Sequence, residues 1–163
     1  MNQTHLHLII THLPIFGSIL GAIVLVFGIW SKSSQTKIAA YFLFIISAIG
    51  AAVAYVTGEE AEDTVEKIQG ISKDLINQHE DIAAFALISL IILGVGSLIS
   101  LVLTYKDSKF SGAASIVMLI ISLISFSILA RTGWLGGKIR HTEISNTSIQ
   151  NSSNQEKPGK DDD

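Results

Sequence analysis

Long apolar runs alternate with short polar segments along this chain of 163 residues. Four runs contain no charged side chain, and they lie at residues 13–30, 38–56, 82–105 and 113–130. As a helix with a rise of about 1.5 Å per residue, each run reaches roughly 27 Å or more, which matches a hydrocarbon core of about 30 Å. The pattern predicts an all-α protein with four transmembrane helices.

Small and polar residues recur at helical spacing on one face of each run. In the first helix this stripe contains His7, Thr11, Pro14, Ser18, Gly21, Leu25 and Gly28, and the other three runs carry comparable stripes. Small residues let membrane helices approach one another closely, so the striped faces are expected to point inward. The short connections within each helix pair then favour an up-down-up-down four-helix bundle.

Glycine and charge mark the predicted boundaries of these helices. Thr57-Gly58 and Thr132-Gly133 indicate where the second and fourth helices end. Between the two hairpins, residues 58–81 form an acidic loop that could include a short amphipathic helix. We expect a four-helix transmembrane domain at residues 1–143 and a disordered polar tail at residues 144–163.

Lysine placement predicts the orientation in the membrane. The two short loops hold lysines at positions 32, 37, 106 and 109, whereas the long loop is acidic. The positive-inside tendency therefore predicts cytoplasmic short loops, with both termini periplasmic in a bacterial inner membrane. Arg131, Lys138 and Arg140 depart from this tendency because they follow the fourth run on the outer side.

Composition excludes several classes of function. The chain has no cysteine, which rules out disulfides and thiolate metal sites, and its net charge of -3 argues against a nucleic-acid partner. No charged residue lies within the four apolar runs, which argues against a proton path or a transporter of charged substrates. Glycines occur without a phosphate-loop pattern.

Histidines provide the candidate chemistry. All five of them, His5, His7, His12, His79 and His141, lie in segments that the predicted topology brings to one end of the bundle. Histidine is also an ordinary residue at a membrane interface, so this placement has a simple structural explanation. Neutral imidazoles from separate helices can nevertheless bind the two axial positions of a haem.

Our preferred axial pair for a b-type haem is His12 with His79, with His141 as a substitute. His7 stays on the list because it, rather than His12, belongs to the small-residue stripe, although a bend at Pro14 could reverse that order. In this interpretation Gly136 and Gly137 leave room for the macrocycle. Arg131 could pair with a haem propionate near the water boundary.

Two other interpretations remain open. Imidazoles and carboxylates could bind a Zn, Cu or Fe ion directly, and the ligands would come from His7, His12, His79, His141, Glu60 and Glu80. The third interpretation is a membrane scaffold or accessory subunit without a cofactor. A non-catalytic redox or binding subunit is favoured over an enzyme, with the lipid bilayer, a periplasmic or membrane redox protein and a second copy of the chain as expected partners.

Four segments carry a family resemblance, namely HLHLIITHLPIFGSILG, AYVTGEEAED, QHEDIA and TGWLGGKIRH. They resemble an uncharacterised family of bacterial four-helix membrane domains of unknown function over about residues 5–141. His12, Pro14, Gly136 and Gly137 match the pattern of that family, and so does His79. Some of its members are joined to Rieske-type or cytochrome modules. The resemblance therefore implies an association with redox proteins and favours haem over a bare metal ion.

Overall fold

The structure is a computed structural model that describes residues 3–65 and 73–140, with side chains described at 5–59 and 73–139. Five helices follow one another in the described ranges: α1 (Gln3–Ile10), α2 (His12–Trp30), α3 (Ser34–Val65), α4 (Lys73–Tyr105) and α5 (Ser111–Arg140). Together α1 and α2 form the first of four helical segments that are long and apolar enough to cross a membrane. The predicted all-α membrane bundle is confirmed.

The helices pack as a ring in which each membrane-crossing segment contacts two neighbours. The α2 helix packs against α3 and α5, and α4 packs against the same two helices from the opposite side. The first segment and α4 are therefore diagonal partners, as are α3 and α5. Because the α2–α3 and α4–α5 connections are short, the N-terminal ends of α1 and α4 lie at the same end of the bundle as the C-terminal ends of α3 and α5.

Packing in this bundle places small residues inside and large apolar residues outside. Ser18, Ser47, Ser97, Ser115, Ser122 and Ser125 are buried, together with Tyr41, Phe44, Leu25, Leu90 and Leu93 at the centre of the core. Many phenylalanine, isoleucine, leucine and valine side chains are exposed on the outer surface instead. The buried positions confirm the predicted stripes, since small side chains permit close contact between helices while the apolar exterior faces lipid.

The first membrane segment is interrupted at Thr11, where α1 ends and α2 begins. Pro14 explains the interruption because it has no N–H to donate to the carbonyl oxygen of Ile10, four residues earlier. The backbone still follows a helical course, since the Thr11 N–H donates to the His7 oxygen over 3.0 Å. As a result the inward stripe continues through the break, and both Pro14 and Ser18 are buried.

Two predicted helix ends are wrong. The α3 helix continues through Thr57 and Gly58 to Val65, and α5 continues through Gly133 to Arg140. Where a short amphipathic helix was expected within residues 58–81, the described part up to Val65 is the last part of α3. The α4 helix begins at Lys73, well before the apolar run that starts at Ile82. At 30 to 33 residues, α3, α4 and α5 are longer than the 20 or so residues that cross a hydrocarbon core. The predicted tail, residues 144–163, lies outside the described residues.

Candidate cofactor site

His7 lies on α1 and donates a hydrogen bond to α3. Its Nδ1 atom is 2.8 Å from the backbone oxygen of Ala54, and the hydroxyl oxygen of Thr57 lies 3.4 Å from the same nitrogen. A carbonyl oxygen only accepts, so the neutral imidazole carries its proton on Nδ1. Gly58 leaves the space for the ring, because a Cβ atom at this position would lie 3.0 Å from Cε1 of His7.

His79 lies on α4 and makes the corresponding contacts with α5. Its Nδ1 atom donates to the backbone oxygen of Thr132 over 3.0 Å. The ring is partly buried. Gly136 makes room for it, since a Cβ atom there would lie 3.2 Å from Cε1 of the imidazole.

The two histidines are therefore held by the same local device. In each case the accepting carbonyl belongs to a residue four positions before a glycine, Ala54 before Gly58 and Thr132 before Gly136. In an α-helix the residue at i+4 lies directly above the carbonyl of residue i. A glycine at i+4 therefore opens one side of that carbonyl to an imidazole from a neighbouring helix.

This hydrogen bonding leaves one ring nitrogen free on each histidine. With Nδ1 protonated and bonded to a carbonyl, the Nε2 atom of a neutral imidazole keeps its lone pair. Histidines that bind metals commonly have this arrangement, in which a hydrogen bond from the other nitrogen fixes the tautomer and the ring orientation. Both His7 and His79 are thus prepared to act as nitrogen ligands.

The two imidazoles also lie at the same end of the bundle, on diagonally opposite helices. His7 lies on the first membrane segment and His79 on α4, which are diagonal partners at the same end of the ring of helices. The N-terminal ends of two opposite helices therefore present one imidazole each to the same region.

A family model described as Predicted membrane protein (DUF2231) matches residues 3–143. The chain belongs to this family. The resemblance to an uncharacterised membrane family is thus confirmed, and the match includes both histidines and both glycines of the paired arrangement. No curated protein and no solved structure matches this DUF2231 chain.

His12 occupies a different environment in the DUF2231 chain. Its Nδ1 atom donates to the Leu8 oxygen over 2.8 Å, which is a bond within its own helical turn, and the ring is exposed. It stacks on Phe16, with 6.2 Å between ring centroids, on the outer surface of the first segment. The structure therefore brings His7, and not the preferred His12, to the region of His79.

The remaining predicted site residues are distributed between the surface and the undescribed parts. Gly136 lies against the His79 ring, whereas Gly137 is exposed and has nothing near the position of a Cβ atom. Arg131 and Glu80 are also exposed. His141 and the side chain of Glu60 lie outside the described residues.

Within residues 5–59 and 73–139, no three side chains of the histidine or carboxylate type come together as a group that could hold a metal ion. A bare ion in a protein site usually takes three or four protein ligands. The porphyrin of a haem supplies four nitrogen ligands to the iron, so the protein needs to supply only one or two axial ligands. The donor set of two imidazoles therefore fits a haem better than a bare ion.

Sequence reasoning missed the carbonyl acceptors of the site. Backbone oxygens carry no side-chain signature, so neither Ala54 nor Thr132 could be selected by residue type. The available signal was a glycine four positions after each acceptor, Gly58 after Ala54 and Gly136 after Thr132. In the sequence alone, Gly58 resembles a helix end, and Gly136 suggests space for a macrocycle.

Proposed function

We propose that this protein binds a b-type haem between His7 and His79 and acts as a membrane electron-transfer subunit. The observation that supports the proposal most directly is the pair of diagonal imidazoles with Nδ1 bonded to a carbonyl and Nε2 free. A bound haem would supply reversible one-electron transfer. The protein would supply the two nitrogen ligands.

The chain's own residues determine how the two ligands are presented. The bonds to Ala54 and Thr132 hold the imidazoles in one tautomer, and Gly58 and Gly136 let the rings lie against the helix backbones. Hydrogen bonds to backbone oxygens also increase the basicity of the free nitrogens, which strengthens their binding to iron. His12, Arg131 and Gly137 are assigned no contact with the haem in this proposal.

We also propose an orientation in which the histidine end of the bundle lies at the periplasmic face of a bacterial inner membrane. Support comes from the opposite end, where the connections that follow α2 and α4 carry Lys32, Lys106 and Lys109. Electrons would then be exchanged with a redox protein on the outer side of the membrane or within it.

The first test is the absorption spectrum of the full-length protein, purified in detergent and titrated with haemin. We expect one haem per chain, a low-spin ferric signal in electron paramagnetic resonance, and sharp α and β bands after reduction, as two axial imidazoles require. Elemental analysis of the same preparation identifies a bound Zn, Cu or Fe ion as the competing result. A protein that retains neither haem nor a stoichiometric ion contradicts the proposal and leaves a scaffold role.

Four histidine variants assign the ligands. His7→Ala and His79→Ala are expected to abolish the low-spin signal, whereas His12→Ala is the matched control because this exposed ring contacts neither Ala54 nor Thr132. Circular dichroism checks that each variant keeps its helices. In His79→Gly, added imidazole should restore the low-spin signal. If His12→Ala loses the signal while His7→Ala keeps it, the assignment of His7 is wrong.

A further inference from the structure

A groove on the outer surface lies between α4 and α5, away from the paired histidines. It has a volume of about 470 Å³ and is lined by Ile82, Phe85, Ser127, Ile128 and Arg131. The hydroxyl of Ser127 is already bonded to the oxygen of Leu123 in its own helix, over 2.9 Å. The groove therefore presents an apolar surface with one available polar group, the guanidinium of Arg131.

Arg131 has the position of a residue that meets a lipid headgroup. It is the first residue after the apolar run 113–130, and its side chain is exposed. It forms no ion pair or hydrogen bond with any other described residue. A charged group at the membrane edge is costly unless it reaches water or pairs with an opposite charge, and its neighbours in the groove offer no such charge.

Two further residues give the same face of α5 a positive and aromatic edge. Trp134 and Lys138 lie about one and two turns beyond Arg131, and the Lys138 ammonium is 3.8 Å from the centroid of the Trp134 ring. Tryptophan and basic side chains are typical of the headgroup region of a membrane protein. A cationic part of any headgroup would be repelled here by both Arg131 and Lys138.

We propose that the α4–α5 groove binds an anionic phospholipid, with an acyl chain along Ile82, Phe85 and Ile128 and the headgroup phosphate on Arg131. A guanidinium donates two parallel hydrogen bonds to phosphate oxygens, which makes it the natural partner for this group. The two basic residues select an anionic headgroup over a zwitterionic one of equal chain length, since the latter brings its own cation to the site. This inference does not depend on haem binding.

The two tryptophans of the chain provide a local probe of this site. Trp134 lies on the groove's face, and Trp30 ends α2 at the opposite end of the bundle. In a Trp30→Phe background, brominated acyl chains that contact the groove quench the fluorescence of Trp134 alone. The full chain is reconstituted into vesicles of brominated phosphatidylglycerol mixed with unbrominated phosphatidylcholine, and into the inverse mixture, to give the relative affinity of the two headgroups.

We expect about a fivefold preference for phosphatidylglycerol at Trp134, which is the size of effect produced by one basic residue near a membrane surface. Arg131→Gln should lower the ratio, and Arg131→Gln combined with Lys138→Gln should bring it close to one, because both basic residues act on the headgroup. Arg131→Lys should retain part of it, because the charge remains and the planar fork is lost. Lys106→Gln, at the other end of the bundle, is the matched control and should leave the ratio unchanged.

The Trp134→Phe protein distinguishes binding in the groove from a general attraction of anionic lipid to the whole protein. In Trp134→Phe, only Trp30 reports, and Arg131→Gln should not alter its quenching by either lipid. Equal quenching of Trp134 by both lipids in the Trp30→Phe protein would overturn the proposal. A headgroup preference at Trp134 that is undiminished in Arg131→Gln would overturn it as well.

Discussion

Three histidines near one end of the bundle differ in the carbonyl group to which their Nδ1 atom donates. His7 and His79 donate to Ala54 and Thr132 on neighbouring helices, whereas His12 donates to Leu8 in its own helix. A bond between helices fixes the ring relative to the bundle, and a bond within one turn fixes it only relative to its own backbone. The type of residue is the same, but only the first two rings are directed at the interior.

Gly136→Ala tests the device that holds His79, and Gly137→Ala is its neighbour and control. Replacing a helical glycine by alanine stabilises an exposed helix by up to about 1 kcal/mol. Gly137 has nothing within 4 Å of a new Cβ, so its variant should show this gain in thermal unfolding. In Gly136→Ala the new Cβ would lie 3.2 Å from His79, so the ring must move and weaken its bond to Thr132, which offsets the gain by about 0.5–1.5 kcal/mol.

The same pair of variants connects the device to haem binding. Gly136→Ala should lower the haem content or shift the low-spin signal, and Gly137→Ala should change neither. Identical unfolding midpoints and identical spectra for the two variants would show that the close approach at Gly136 has no role.

The sequence predicted that His7 lies on the inward face of the first segment. It did not show that His7, rather than His12, is the histidine near His79. Its position on the stripe with Pro14 and Ser18 already predicted an inward direction, and the structure shows that the stripe continues through the break at Thr11. The preference for His12 depended on how far Pro14 bends the helix, which is set by packing against α3 and cannot be obtained from the local sequence. Residue periodicity therefore predicted the correct face, while the magnitude of a helix distortion remained out of reach.

Whole helices were predicted correctly by apolar length, but their ends were not. Gly58 and Gly133 resemble terminators, since glycine costs about 1 kcal/mol within a helix relative to alanine. The α3 and α5 helices nevertheless continue past them. At Gly58 the contact with His7 explains why glycine is useful within the helix. A glycine that makes room for a side chain of a neighbouring helix thus looks, in the sequence, like a glycine that ends a helix.

The two true helix ends in the hairpins share one geometry without using glycine. Lys32 and Asp107 adopt positive φ angles of 56° and 47°. At the second of these ends, the Asp107 N–H donates to Thr104 and the Ser108 N–H donates to Leu103, which is the Schellman pattern. A residue with a Cβ pays a conformational cost of about 1–2 kcal/mol in this region.

Asp107→Gly is therefore expected to stabilise the protein, in contrast to Lys106→Gly. The first substitution removes the left-handed penalty, and a net gain of about 0.5–1 kcal/mol remains after the larger entropy of glycine in the unfolded chain. Lys106 lies next to it without a positive φ angle, so glycine there brings only the entropy cost. Thermal unfolding in detergent gives the comparison, and a lower midpoint for Asp107→Gly than for Lys106→Gly would refute the expectation.

At the scale of the whole molecule, the two ends of the bundle use opposite pairs of diagonal helices. Near the end with the hairpin turns, Tyr41 of α3 reaches Ser115 of α5, and the two hydroxyl oxygens are 2.9 Å apart. At the other end, the first segment and α4 present His7 and His79. One end is thus closed by a direct hydrogen bond across the bundle, and the other carries two imidazoles on the remaining diagonal.

Tyr41→Phe tests whether the two ends are independent. The Ser115 hydroxyl donates to the Ser111 oxygen over 2.7 Å, so the Tyr41 hydroxyl must be the donor in the bond between them. Its loss should destabilise the protein by about 0.5–1.5 kcal/mol, because Ser115 keeps its own donor bond. Tyr55→Phe is the matched control, since the Tyr55 hydroxyl has no hydrogen-bond partner among the described residues.

The decisive comparison is between the stability of the protein and the spectrum of the proposed haem. About thirteen residues separate Tyr41 from Ala54 along α3, which is roughly 20 Å of helix. Because such a distance exceeds the range of direct contact, Tyr41→Phe should lower the unfolding midpoint of the protein and leave the low-spin signal as it is in the unchanged chain. A changed haem signal in Tyr41→Phe, with Tyr55→Phe unaffected, would mean that the hairpin end controls the spacing of the histidines, and the two diagonals would then have to move as one unit.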